Sequence, residues 1–197
     1  TPSSPSALSP TWGGFRDVVG AGNYAYAVGP TGAYSVGLTS YDVSDPTQPV
    51  ALKTQNYPNT AGNYGLSVLA NRIEAYGNAV YVGNASATYL YDVTDPANPV
   101  RQTLELPSAV SIEIVDDVLY IGDIGSGVRW YDLSNPLAPS LIDDVLFPQP
   151  NGAPDARGLA IGGEYIYAVG PKWITTIAHC ISTDTPPVVS AGSDFSV

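Results

Sequence analysis

The chain has 197 residues, 44% of them apolar, and a formal charge of -11 from 18 acidic and only 7 basic side chains. That is enough apolar material for a core, and too acidic a balance for a nucleic-acid backbone or an anionic membrane as partner. No apolar run reaches the ~18 residues of a membrane span.

The composition of 20 Gly, 18 Pro and 14 Tyr describes a chain that turns often and puts aromatics into strands. There is no Met, which is consistent with a processed, exported protein or with a trimmed chain. A single Cys allows no intrachain disulfide.

Residues 1–13 read as an N-terminal extension or as a strand that closes an array. From residue 14 the chain repeats itself. RDVVG leads through AGN into YAYAV, a loop leads into VGLTSYDV, and SDPTQ turns the chain into PVALKTQ. The second unit runs RIEAYG, AVYVG, TYLYDV and VRQTLEL, and the third runs VSIEIV, VLYIG, GVRWYDL and LIDDVLF. A fourth begins around GLAIG and YIYAVG, and its tail PPVVSAGS supplies a last strand.

Aromatic and β-branched residues alternate with small or polar ones, and the interruptions carry Gly, Asn, Asp or Pro. The marker tyrosines Tyr26, Tyr81, Tyr120 and Tyr167 are spaced 55, 39 and 47 residues apart, so loops of unequal length hang on a constant frame. Four-stranded units that cannot bury their faces alone must stack. The expectation is an all-β fold, a β-propeller of four blades with four antiparallel strands each, at about 14–58, 64–107, 109–148 and 156–195. The alternative is part of a larger ring.

YDVSDPTQPV at 41–50, YDVTDPANPV at 91–100 and YDLSNPLAPS at 131–140 are one turn written three times. Pro46, Pro96 and Pro136 fix φ, while Asp45, Asp95 and Asn135 suit the turn. Asp42, Asp92 and Asp132 are expected to be structural carboxylates that accept N–H bonds at the strand end. In the fourth unit His179 and Cys180 replace the Tyr-Asp pair, and a packed, inert pair is favoured over a metal site.

The repeats resemble the LVIVD-repeat family, whose units pair a GNYAYVA-like strand with an LxIxDVSDPxxP-like strand and turn. The likeness is carried by Gly22–Val28, Leu38–Val50, Gly77–Gly83, Leu90–Val100, Leu119–Gly122, Val128–Pro139 and Tyr165–Gly170, and spans roughly residues 14–195. It implies a propeller, usually of an exported or surface-attached bacterial or archaeal protein, with no common catalytic set. This chain departs from the family in having lost the fourth Asp-Pro and in carrying only four units.

Longer loops gather on one expected face, with Tyr34, Tyr57, Asn59, Asn63, Tyr64, Asn151, Asp155, Lys172 and Trp173 as its ligand- or partner-binding candidates. Tyr57, Tyr64 and Trp173 are expected to form an aromatic patch there. Glu74 and Glu113 share a register with Val19 and Ala160, seven residues before each marker Tyr, and are expected to line a central channel. Two carboxylates there could hold Ca²⁺ or pair with Arg16, Arg72 or Arg157. Asn84 opens an NAS glycosylation sequon.

The leading functional expectation is a non-enzymatic extracellular or cell-surface module, structural or adhesive, whose partners are other surface proteins or copies of itself. A second is a module binding a neutral glycan on the long-loop face. A third is a polysaccharide hydrolase or lyase using the channel carboxylates. No cofactor beyond the channel cation is expected.

Overall fold

The computed structural model describes residues 14–32, 35–57, 72–84, 86–123, 125–147, 156–170 and 173–178, and every regular element among them is a strand. Fifteen strands form four antiparallel sheets. Sheet one contains β1 (Asp17–Ala21), β2 (Tyr24–Gly32), β3 (Ser35–Asp42) and β4 (Val50–Tyr57). Sheet two contains β5 (Arg72–Tyr76), β6 (Ala79–Gly83), β7 (Thr88–Asp92) and β8 (Val100–Leu106). Sheet three contains β9 (Ser111–Val115), β10 (Val118–Asp123), β11 (Gly127–Asp132) and β12 (Ser140–Leu146). Sheet four shows β13 (Gly158–Gly162), β14 (Tyr165–Val169) and β15 (Ile174–Ala178) among the described residues. The fourth strand expected from PPVVSAGS lies outside them.

Each sheet is a meander, its strands adjacent in space in chain order. The turns explain why. Gly22, Gly77 and Gly163 lie at φ 60, 57 and 60° at the first position of the two-residue link between a sheet's first and second strands. A left-handed first residue makes the turn whose twist matches that of the flanking strands. In sheet three Asp116 and Asp117 do the same work at φ 48 and 64°, both left-handed, which Asp tolerates better than most residues.

Alternation along the strands then decides the packing. Tyr26, Val28 and Leu38 of sheet one meet Ile73, Val80, Val82, Tyr89 and Tyr91 of sheet two. Tyr81 and Leu90 of sheet two meet Ile112, Leu119, Ile121 and Tyr131 of sheet three. Tyr120, Val128 and Trp130 of sheet three meet Ala156, Ile166, Ala168 and Ile177 of sheet four. The core is thus three apolar layers between four sheets. The first strands β1, β5, β9 and β13 are successive neighbours.

One loop differs from expectation. Residues 29–35, expected to be irregular, mostly continue the β2–β3 ladder, with Pro30 opposite Val36 and Gly32 opposite Ser35 after a register shift. Continued pairing satisfies backbone groups that a loop would leave to solvent. Register shifts also interrupt the pairing of the last strand with the third in sheets one, two and three. Bulges of this kind bend a sheet's outer strand.

Candidate functional site

The three repeated aspartates sit at strand ends and face their own turns. Asp42 Oδ1 accepts the Ser44 N–H at 2.8 Å, Asp92 Oδ1 the Thr94 N–H at 2.8 Å, and Asp132 Oδ1 the Ser134 N–H at 2.8 Å. One step on, Asp45 accepts the Thr47 N–H at 2.9 Å, Asp95 the Ala97 N–H at 3.0 Å, and Asn135 the Leu137 N–H at 3.2 Å. Pro46, Pro96 and Pro136 lie between these acceptors and donors. The hydrogen bonds from Ser44 and Thr94 hold the Asp42 and Asp92 carboxyls below the usual carboxylate range. These residues fasten turns.

Glu74 and Glu113 occupy the shared register. Glu74 pairs with Tyr81 and Glu113 with Tyr120, as Val19 pairs with Tyr26 and Ala160 with Tyr167. Since β5 neighbours β9, the two carboxyls belong to adjacent strands, each half-buried. Burial first, then the negative fields of Glu113 and Asp17, push Glu74 up to about 7. Burial also raises Glu113, and the Arg72 guanidinium partly offsets it. Among the described residues no three His, Cys, Asp or Glu side chains are arranged to hold a metal.

Asp17 was not anticipated as part of this group. Its Oδ2 accepts the Ile73 N–H at 3.3 Å, joining sheet one to sheet two beside Glu74. The available signal was position: Asp17 lies two residues before Val19, on the same strand.

Asn84, which opens the sequon, closes the link between β6 and β7. The residue is buried, and its Oδ1 accepts the Ser86 N–H at 2.7 Å and the Ala87 N–H at 3.0 Å. Its backbone also receives Ala109 N–H from the lead-in to sheet three at 2.8 Å. Asp123 follows Gly122 as Asn84 follows Gly83, and it too is buried, hydrogen-bonded by Ser108 and 3.6 Å from the Arg129 guanidinium. Sequence reasoning passed over this ion pair because the other units carry no matching charges.

The candidate loop face is only partly described. Tyr34, Asn59, Asn63, Tyr64, Asn151, Asp155 and Lys172 lie outside the described residues, and only the backbone of Tyr57, ending β4, falls within them. His179 and Cys180 lie outside as well. Trp173 is described, and its ring packs against Phe147 with centroids 4.9 Å apart. It is half-buried in the layer between sheets three and four, where it also closes against Gly170. That packing uses the ring as a wedge between sheets.

No protein-family model matches the chain, and no curated protein matches it. Its fold is similar to that of a solved protein from Lactobacillus plantarum, with a TM-score of 0.64 at 14% identity. That match covers 91% of this chain, which spans 57% of the Lactobacillus protein. The computationally designed Ika4 protein matches with a TM-score of 0.56 at 10% identity, over 90% of this chain and 100% of the designed one. At such identities the likeness is one of fold.

Proposed function

We propose that the four sheets are blades of a β-propeller, and that the protein is a non-enzymatic structural or adhesive module of an extracellular surface. The propeller reading is supported by the side-by-side order of the first strands and by the meander within every sheet. The resemblance to LVIVD-repeat proteins belongs to the same proposal and is the ground for the surface location. The observation that carries the interaction role lies on the last strands. Val50, Val100, Leu104, Leu141, Ile142 and Leu146 are all exposed, so three consecutive sheets offer apolar side chains on their outermost strands. Exposed apolar side chains that recur on the same strand of three units suit an interaction surface. Asp42, Asp45, Asp92, Asp95 and Asp132 are meanwhile engaged in turns.

A photo-crosslinker placed at Leu141 in the native surface is expected to capture neighbouring proteins. Failure to capture any, from a chain that stays monomeric, overturns the reading.

One observation favours an enzyme instead. Glu74 is held up to about 7 beside Glu113 on the adjacent strand, a pairing that suits general acid catalysis on a glycan. Turnover of any polysaccharide that disappears in E74Q and E113Q would replace the module reading with this one.

A further inference from the structure

One position in the first strand of each unit reaches across to the next unit. It lies nine residues before the marker tyrosine and is held by Asp17, Arg72, Ser111 and Gly158. Asp17 Oδ2 accepts the Ile73 N–H of sheet two at 3.3 Å. Arg72 Nε donates to the Val110 carbonyl, just before sheet three, at 3.5 Å. Ser111 Oγ donates to the Ala156 carbonyl, just before sheet four, at 3.1 Å. The same place in the repeat thus clasps three junctions with an anion, a cation and a neutral hydroxyl.

Two residues further on stand Val19, Glu74, Glu113 and Ala160. Glu113 has the Arg72 guanidinium of β5 to ease its charge. Glu74 meets a different set. Of the strands packed on β5, β1 brings Asp17 and β9 brings Glu113, while β2 and β6 bring only tyrosines, Tyr24, Tyr26 and Tyr81. β5 itself adds Arg72 and Tyr76. The charges that bear on Glu74 are those of Glu113 and Asp17, both negative. The junction between sheets one and two is therefore clasped by a carboxylate beside a second carboxyl. Glu113 carries the charge of Glu74 to the next junction too, but that one is also held by the Tyr81 hydroxyl on the Pro136 carbonyl, the Tyr76 hydroxyl on Asp117 and the Ala109 N–H on the Asn84 carbonyl. Between sheets one and two, Gln55 Nε2 adds a bond to the Pro99 carbonyl at 2.8 Å.

We propose that the junction between sheets one and two is a pH-sensitive seam, which loosens when Glu74 gives up its proton while the junctions after it hold. Burial and two negative neighbours push Glu74 up to about 7 from an ordinary 4.5 in the closed form. Opening the seam returns Glu74 to water and takes Asp17 away, so the open form favours the ionised carboxyl. The advantage of the closed form is complete below 4.5 and is lost as the pH rises through 7. The seam would operate in a surface module and in a glycan-active enzyme alike.

Amide exchange of the whole chain, followed by NMR and corrected for the intrinsic effect of pH, reads two junctions separately. Ile73 N–H reports on the first through its bond to Asp17, and Ala109 N–H on the second through its bond to Asn84. Between about pH 5.5 and about pH 8.5, the protection of Ile73 is expected to fall by about tenfold or more, and that of Ala109 to change by less than about twofold. Glu74→Gln keeps the size of a neutral carboxyl and should abolish the fall. Asp17→Asn keeps an oxygen acceptor for Ile73 and removes one negative neighbour, so the midpoint of the fall should move to lower pH. It carries the test if Glu74→Gln does not fold, which circular dichroism checks.

Protection of Ile73 that stays constant across that range overturns the proposal. So does a fall shared equally by Ala109, which would mark loosening of the whole molecule. A fall that survives in Glu74→Gln, or an Asp17→Asn midpoint that does not move, overturns it as well.

Discussion

The Tyr81 hydroxyl, from the middle strand of sheet two, donates to the Pro136 carbonyl in the repeated turn of sheet three. This polar contact ties a marker residue of one unit to a turn residue of the next. Burial pushes the Tyr81 hydroxyl well above the usual tyrosine range.

Tyr81→Phe keeps the ring and removes the donor, leaving the carbonyl of Pro136 without it. The expected cost is about 1 kcal/mol. Urea unfolding followed by fluorescence checks it, because Trp130 is buried in the adjoining sheet. An unchanged midpoint would mean that water replaces the hydroxyl freely.

Gly122 is the next-to-last residue of β10, where Ala156 at the start of the fourth unit packs. A methyl group there would stand 2.6 Å from the Ala156 carbonyl oxygen and still closer to Ser111 Oγ. Gly122→Ala is expected to destabilise by about 1–3 kcal/mol, the usual cost of overpacking. At Gly125, where no atom lies within 4 Å, the strain comes only from φ 89°, so Gly125→Asn should cost less. Thermal melts of the two variants rank them.

Asp92 accepts two hydrogen bonds from Thr94, from its N–H at 2.8 Å and its hydroxyl at 2.6 Å. Asp92→Ala removes both and is expected to lower the melting temperature. Asp92→Asn keeps the Oδ1 acceptor and should lose only part. Because the three turns share no hydrogen-bond partner, the same changes at Asp42 and Asp132 should add. Equal losses for Ala and Asn would show that charge, not geometry, fastens the turn.

Stability should peak in weakly acidic solution. The folded state holds Glu74 up to about 7 against an ordinary 4.5, so it keeps a proton that the unfolded chain releases. That stabilisation is complete below 4.5 and is lost as the pH rises through 7. Asp42 and Asp92 are depressed by their turn hydrogen bonds, so their contribution is present above the ordinary 3.8 and lost as the pH falls below it. Glu74→Gln removes the first slope. Its melting temperature should exceed the wild type's by about 2–4 °C at alkaline pH, with no difference in acid.

The strands were legible because period-two alternation and repeated turns are local signals, and the registers of Glu74 and Glu113 followed from counting back from Tyr81 and Tyr120. The packing of Trp173 was not legible, because it depends on Phe147, which follows β12 in the preceding unit. The burial of Asn84 was hidden for a related reason: a sequon specifies three letters, and burial is set by the chain around them. The Asp123–Arg129 pair occurs in one unit alone, so repetition gave it no weight.

The meander within each sheet has a consequence for how the molecule is made. Every ladder joins strands that follow one another in the chain, and even the side-chain bond between Thr39 and Thr54 spans only 15 residues. Little loop entropy is lost before the first contacts are rewarded, so contact order is low for a protein made of strands. Sheets that pair locally but bury their faces only against one another gain stability as neighbours stack on them.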